Sequence, residues 1–272
     1  MTTVPLVGAR HRERLRESLQ NPALRALETP SSLPVRSALF TQVYDHIPSG
    51  AFDRQKILVT IHPQRRDVWF WLIPFSNGRV SMGVVGSDDF MGQYKGTNEE
   101  RLWAIHNEVP TLRELLKNAR PANPVGELRG YAANVKSLYG PGWALLGNAA
   151  EFLDPVFSSG VCIAMKSADL AAEVLGKQLK GQPVDWENEF SKPLKIGVET
   201  FRGFVEHWYD GGLADIFFHP RKNEKIQRMI CSVLAGYGWD LNNPYVGVGK
   251  RRLTALVEAC RVSADAEMTV AS

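Results

Sequence analysis

The chain is short of the features that would assign it quickly. Its 272 residues include three cysteines, Cys162, Cys231 and Cys260. They form neither a CxxC pair nor a cysteine–histidine spacing of the kind that holds zinc, so no metal site is expected. An odd number of widely spaced thiols excludes a disulfide framework and points to reduced cysteines. No apolar run reaches the roughly 20 residues of a bilayer-spanning helix, and no signal-type hydrophobic region opens the sequence. Charge of one sign is scarce: 32 Lys and Arg stand against 29 Asp and Glu, a net +3. That is too little, and too scattered, for nucleic-acid binding. The clusters Arg10-His11-Arg12 and Lys250-Arg251-Arg252 read as solvated helix faces. Together these absences predict a soluble, cytoplasmic protein with no nucleic-acid or membrane partner. The sequence also lacks GxGxxG. Its nearest candidate, Gly247-Val248-Gly249, has no third glycine and follows no strand-like run.

What is present is apolar enough to fold. Hydrophobic residues make up 44% of the chain, sufficient for one large core or two interleaved ones. Residues 1–32 join a charged stretch, RHRERLRESL, suited to a short amphipathic helix, to NPALRALETPSSLP, which is rich in helix breakers. From about Leu33 the character changes. RSALFTQVY, KILVTIHP, VWFWLIPF and RVSMGVVG are β-branched and aromatic, and they predict four successive antiparallel strands. Asn77-Gly78 predicts a tight type I′ hairpin between the last two. VWFWLIPF is apolar almost throughout and predicts a strand covered on both faces. NEERLWAIHNEVPTLRELLKNA has helical spacing, with Pro110 beginning or breaking a second helix. GWALLGNAA reads as a short buried strand, FLDPVFSSG as a turn, and GVCIAMKSADLAAEVLGKQLKG as a long helix ending near Gly181. The chain is helical again from about Asp185, with a frayed tail from about Ser263.

The chemistry is concentrated between Gly147 and Gly160, where a strand passes through small residues and an Asp-Pro turn into a helix. A helix N-terminus presents unpaired N–H groups and a partial positive charge, which suits an anion or an electron-rich ring edge. Ser158, Ser159 and Gly160 would let a ligand approach that backbone. Asn148 can hydrogen-bond a sugar or ribityl hydroxyl, and Ala149 and Ala150 leave room. A plainer reading stands beside this one: turn glycines, an ordinary N-cap at Asp154 or Ser158, and a core helix.

The segment GWALLGNAAEFLDPVFSSGVCIAM resembles the final FAD-binding motif of flavin-dependent monooxygenases with the p-hydroxybenzoate hydroxylase fold. Within them it is most similar to the flavin-dependent halogenases. The halogenase-type pattern Phe-x-x-Pro-x-x-Ser-x-Gly is met by Phe152, Pro155, Ser158 and Gly160. A second signature, Trp-x-Trp-x-Ile-Pro, is met by Trp69, Trp71, Ile73 and Pro74. The likeness extends over most of the chain from about residue 33. It implies a mixed α/β fold of the p-hydroxybenzoate-hydroxylase-like type, in truncated form. Residues 1–32 would be an ill-defined segment, 33–126 the substrate-side antiparallel sheet with helices, and 127–181 the last part of an FAD-binding domain. Residues 182–262 would be a helical region and 263–272 a tail. By the same resemblance, Gly147, Asn148 and Ala149 would meet the ribityl and pyrophosphate of FAD. Pro155, Ser158, Ser159 and Gly160 would lie beside the isoalloxazine, with the Ser159 and Gly160 amides at the halide position. Asp154 stands where tryptophan halogenases carry a glutamate, and it would either act on substrate or cap a helix. Trp69 and Trp71 would either border the flavin and hinder monooxygenation or simply fill strand core.

The implied activity is that of a halogenase. Reduced FAD from a separate flavin reductase, O2 and a halide would act on an aromatic or other electron-rich small molecule. Two departures qualify it. The family's Gly-Asp pair is Gly147-Asn148 here, which exchanges a charge-assisted hydrogen bond for a neutral one about half as strong. The glycine-rich opening element, with its acidic ribose-binding residue and catalytic lysine, has no counterpart in the 272 residues. The chain therefore reads as the later part of a larger flavoprotein, with low solubility or dependence on a partner chain expected. The parallel neighbours of the strand at Trp143 would lie outside it. Other readings are a non-catalytic remnant, a subunit completing an FAD site with a partner chain, or an FAD monooxygenase or geranylgeranyl-reductase-like enzyme.

Overall fold

The β-rich runs between residues 37 and 86 do form strands, and Pro110 does begin a helix at its first position, where a missing N–H is harmless. The computed structural model describes residues 6–8, 27–221, 223–247 and 249–271, with backbone alone at 6–8, 249 and 263–271. In chain order the strands are β1 (Leu6–Gly8), β2 (Glu28–Thr29), β3 (Ser37–Tyr44), β4 (Leu58–Ile61), β5 (Trp69–Pro74) and β6 (Arg79–Gly86). Then follow β7 (Arg120–Pro121), β8 (Gly126–Arg129), β9 (Asn134–Val135), β10 (Tyr139–Gly140) and β11 (Trp143–Leu146). The helices are α1 (Asp88–Met91), α2 (Asn98–Asn107), α3 (Pro110–Leu115) and α4 (Ser159–Leu179). After them come α5 (Lys192–Tyr209), α6 (Gly212–Phe217), α7 (Glu224–Leu234) and α8 (Gly249–Ala271). The charged stretch RHRERLRESL lies outside the described residues. The chain divides into two units, Pro34–Tyr131, and Met1–Leu33 with Ala132–Ser272.

In the Pro34–Tyr131 unit the strand order is β4-β5-β6-β3-β7, with β8 also beside β3. The expected succession of neighbours is corrected here. β3 pairs antiparallel with β6 along its whole length, from Ser37↔Gly86 to Tyr44↔Arg79, while the short, partly exposed β4 pairs only with β5. Two eight-residue strands with matched apolar alternation bury more together than either would against β4. The hairpin also differs from expectation. Gly78 has φ +77° but Asn77 is not left-handed, and the Phe75 N–H donates to Arg79 O at 2.8 Å. This is a three-residue loop with glycine in the left-handed position, not a type I′ turn.

One sheet face, carrying Leu39, Val43, Phe70, Leu72, Met82 and Val84, packs on α1, α2 and α3. The tryptophans of β5 point the other way, since successive side chains alternate across a strand. Trp69 is 2% exposed, whereas Trp71 is half-buried, so the expectation of full cover on both faces holds for Trp69 and fails at Trp71. Trp71 lies on Gly83, its cross-strand partner, and its Nε1 donates to Ser81 Oγ at 3.1 Å. A Cβ at Gly83 would stand 2.4 Å from the indole. On the helical side, His106 is buried and its Nδ1 lies 2.9 Å from Leu102 O. Burial pushes its pKa down to about 4.

In the second unit β11 is flanked by antiparallel β10 and by β1, which runs parallel to it with Leu6↔Ala144 and Gly8↔Leu146. This corrects the expectation that the parallel neighbours of the Trp143 strand lie outside the chain: three residues before the charged stretch supply one. β2 pairs with β9. The core gathers on α5, where Leu194, Val198, Phe201, Phe204 and Val205 are buried. Trp239 packs so closely on Gly197 that a Cβ there would stand 2.1 Å from its ring, and its Nε1 donates to Pro193 O. α8 continues to Ala271, through the stretch expected to fray. No described helix is long and apolar enough to cross a membrane.

Two expectations follow. Gly83→Ala should destabilise the protein by about 1–3 kcal/mol through overpacking, read as a lower denaturation midpoint with a shifted Trp fluorescence maximum. The His106 ring binds a proton near pH 6.5 when unfolded but only near 4 when folded. Stability from this group is therefore complete above 6.5 and declines as pH falls towards 4. Denaturation midpoints across that window should fall less steeply in His106→Asn than in the unaltered chain.

Candidate functional site

β11 ends at Leu146, and the chain then turns sharply at Gly147, whose φ is +56°. Any side chain there would be strained, and a Cβ would stand 3.0 Å from that of Ala164 on α4. The Gly147 N–H donates to Ser167 Oγ at 2.9 Å, and Ser167, fully buried, donates in turn to Ala164 O. The turn is thus fastened to the helix that follows it in sequence. A short 3₁₀ turn, Gly147–Ala149, leads to Phe152, which bridges to Ala133.

Asp154 begins the next 3₁₀ turn, Pro155–Phe157. Its Oδ1 accepts from the Val156 N–H at 3.0 Å, and its Oδ2 accepts from the Tyr209 hydroxyl at 2.7 Å. Ser158 then takes the left-handed conformation, φ +53°, and releases the chain into α4. For a non-glycine residue this costs about 1 kcal/mol. The strain aims the first turn of α4 back towards Asn148. The N-terminus of α4 has no side-chain cap and no acidic residue in its first turn. Its leading amides, those of Ser159 and Gly160 included, keep their donor capacity and the positive end of the helix dipole. Asn148 Oδ1 lies 3.2 Å from where a Cβ of Gly160 would stand, so the amide side chain reaches across the helix entrance.

These elements border an open cavity of about 570 Å³, within the usual range for small-molecule sites. It is lined by Gly147, Asn148, Asp154, Pro155, Ser158, Ser159 and Gly160. Of the site residues expected in this segment, Ala149 alone does not border it; its small side chain is buried behind the turn. Trp69 and Trp71 belong to the other unit and occupy the sheet face described above.

Three features at the site carry no signature in the sequence reading. Ser167 sits eight residues into a helix, and only the pairing with Gly147 reveals its task. Tyr209 reaches Asp154 from the end of α5. Glu151 and Arg202 form a buried pair, Arg202 Nη2 to Glu151 Oε2 at 3.2 Å. Burial pushes the Glu151 carboxyl up to about 7 against the pull of Arg202. Charged residues set among apolar and aromatic neighbours, as in AAEFL and FRGFV, were the available signal.

Residues 26–234 match the family described as tryptophan halogenase. A 1H-pyrrole-2-carbonyl-[peptidyl-carrier protein] brominase from Pseudoalteromonas luteoviolacea is 31% identical over 181 residues, covering 63% of this chain and 42% of that protein. The corresponding chlorinase from Pseudomonas fluorescens is 30% identical over 187 residues, covering 64% and 40%. The chain therefore spans about two fifths of the length of these relatives. Among solved structures, a flavoprotein/dehydrogenase from Cytophaga hutchinsonii superposes with a TM-score of 0.85 at 38% identity, covering 91% of this chain and 60% of that one.

If the Gly147–Ser167 fastening holds the turn, Ser167→Ala should leave a buried N–H without its partner and destabilise the protein by about 1–3 kcal/mol. Gly147→Ala should lose a comparable amount from positive φ and contact with Ala164. Thermal denaturation of both variants against the parent checks this, and parent-like melting of both would refute it.

Proposed function

The chain belongs to the tryptophan halogenase family, and on that footing we propose that it forms the flavin-closing and substrate-side part of a flavin-dependent halogenase. The observation that carries the reading is the uncapped N-terminus of α4 opening on the cavity lined by Gly147, Asn148, Pro155 and Ser158 to Gly160. The residues present fit FAD. Gly147 and Gly160 leave backbone space that a side chain would narrow, and the helix amides offer donors to electron-rich atoms. Reduced FAD, delivered by a separate reductase, would supply the two electrons that bring O2 to the peroxide level, and that oxidant would take two electrons from the halide, its second oxygen leaving as water.

In this reading the Asn148 side-chain oxygen accepts from a ribityl hydroxyl, and Pro155 with Ser158 forms the wall against the ring. The Ser159 and Gly160 amides hold halide. Asp154 positions the loop, because both of its carboxylate oxygens are engaged, by Val156 and Tyr209. A role on substrate would require it to give up the Tyr209 bond. Trp69 and Trp71 stiffen the sheet face on the substrate side. The glycine-rich element absent from these 272 residues would come from another segment or a partner chain. The substrates named for the two bacterial relatives make an electron-rich heteroaromatic ring the class to test first. A cytoplasmic setting, with a reductase at hand, is part of the same proposal. A second reading, an FAD oxidoreductase that does not use halide, is favoured by the 38% identical flavoprotein/dehydrogenase.

FAD titration followed by flavin fluorescence tests the site. Asn148→Asp should tighten binding about five- to tenfold, the difference between a charge-assisted and a neutral hydrogen bond, and Gly147→Ala should weaken it. Unchanged affinity in both would remove the assignment. With reductase, NADH and bromide, mass spectrometry of a pyrrole substrate separates the two readings: brominated product supports halogenation, and halide-independent oxidation supports the second.

A further inference from the structure

A second cavity, of about 330 Å³, lies on the other unit between α2 and α3 and is bordered by Trp103, His106, Asn107, Leu112, Arg113 and Lys117. It belongs to the Pro34–Tyr131 unit, and the flavin reading gives it no task. His106 is 2% exposed. Its Nδ1 stands 2.9 Å from Leu102 O, and a carbonyl can only accept, so the proton is on Nδ1. The buried ring is neutral at physiological pH. Nε2 therefore carries a bare lone pair, to which no described residue donates a hydrogen bond.

The rim has the opposite character. Arg113 pairs with no carboxylate among the described residues, and its one bond, to Asn107 O, is 3.5 Å long. Lys117, one turn on, pairs with Glu114. Between the acceptor at the base and the cations at the rim stand the half-buried indole of Trp103 and the buried side chain of Leu112. An acceptor-only base excludes a plain anion there, and a cationic rim disfavours a cation. The apolar wall suits a ring or short hydrocarbon.

We propose that this cavity binds a small organic anion with an apolar or aromatic body, whose hydroxyl or N–H donates to His106 Nε2 while its anionic group meets Arg113 and Lys117. The two polar ends are read by different chemistry, so specificity is predicted at both. A ligand without the donor leaves Nε2 unpaired in a buried site, and a ligand without the charge leaves the rim unused.

The probe is 3-hydroxybenzoate, compared with 3-methoxybenzoate and 3-methylphenol, titrated onto the full chain with ¹⁵N-histidine NMR and isothermal calorimetry. The hydroxy acid should shift the His106 Nε2 resonance, and the methyl ether, equal in charge, should bind about tenfold more weakly. 3-Methylphenol, equal in donor but neutral, should also bind at least several-fold more weakly. Arg113→Ala, an exposed position that should not disturb folding, should weaken the acid by a similar factor and leave 3-methylphenol unaffected. Equal binding of hydroxy acid and ether would overturn the proposal. So would an unmoved His106 resonance at saturating probe, or undiminished binding by Arg113→Ala.

Discussion

The candidate site depends on one crossing, at Gly147. There the chain leaves β11, adopts a backbone conformation that only glycine takes without strain, and delivers its N–H to Ser167 on α4. Strand and helix are thereby fixed to each other across a turn too tight to be held by side-chain packing. Apart from Leu146 at the end of β11, the residues lining the cavity lie at or after that fastening. Asn148 follows the turn, Asp154 and its 3₁₀ segment carry the chain around, and Ser158 accepts a left-handed conformation to start α4. Strain at Ser158 is tolerated because both flanks are held, by Asp154 on one side and by a long helix on the other.

Electrostatics at the site follow from the same arrangement. A helix that began with an acidic first turn or a capping side chain would satisfy its own amides. α4 has neither, and it presents its dipole to a cavity with few charges of its own. The carboxylate that lines the cavity, Asp154, accepts from the Val156 N–H and from the Tyr209 hydroxyl, which ties the loop to α5. Behind the loop, Glu151 and Arg202 are buried together, and Arg202 also pairs with Glu199 at 3.2 Å.

The Pro34–Tyr131 unit is organised by different physics. Its sheet uses one face for a conventional core against α1 to α3 and the other for a set of large rings. Trp71 can lie flat there only because Gly83 has no side chain. The tryptophan signature of the family is therefore also a packing device in this chain. On the helical side, the neutral His106 gives the same unit a buried acceptor beside a cavity with a basic rim.

The sequence by itself determined most of the elements and the site segment. Glycine, proline and small residues at fixed spacing between an apolar run and a helical one announce a strand–turn–helix junction through local sterics. Of the seven residues that the family resemblance named for a cofactor, six border the cavity. Tertiary structure decided what depends on partners distant in sequence. β1 is three residues long, too short to show any periodicity, and exists because β11 offers it a parallel edge. The place of β3 beside β6, and the form of the Asn77-Gly78 loop, were settled by pairing energy between whole strands and not by the turn dipeptide. Ser167, Tyr209 and the Glu151–Arg202 pair are ordinary helix or loop residues until folding brings them to the turn. Their roles come from hydrogen bonds spanning 20, 55 and 51 residues, and no local pattern encodes a contact at that range.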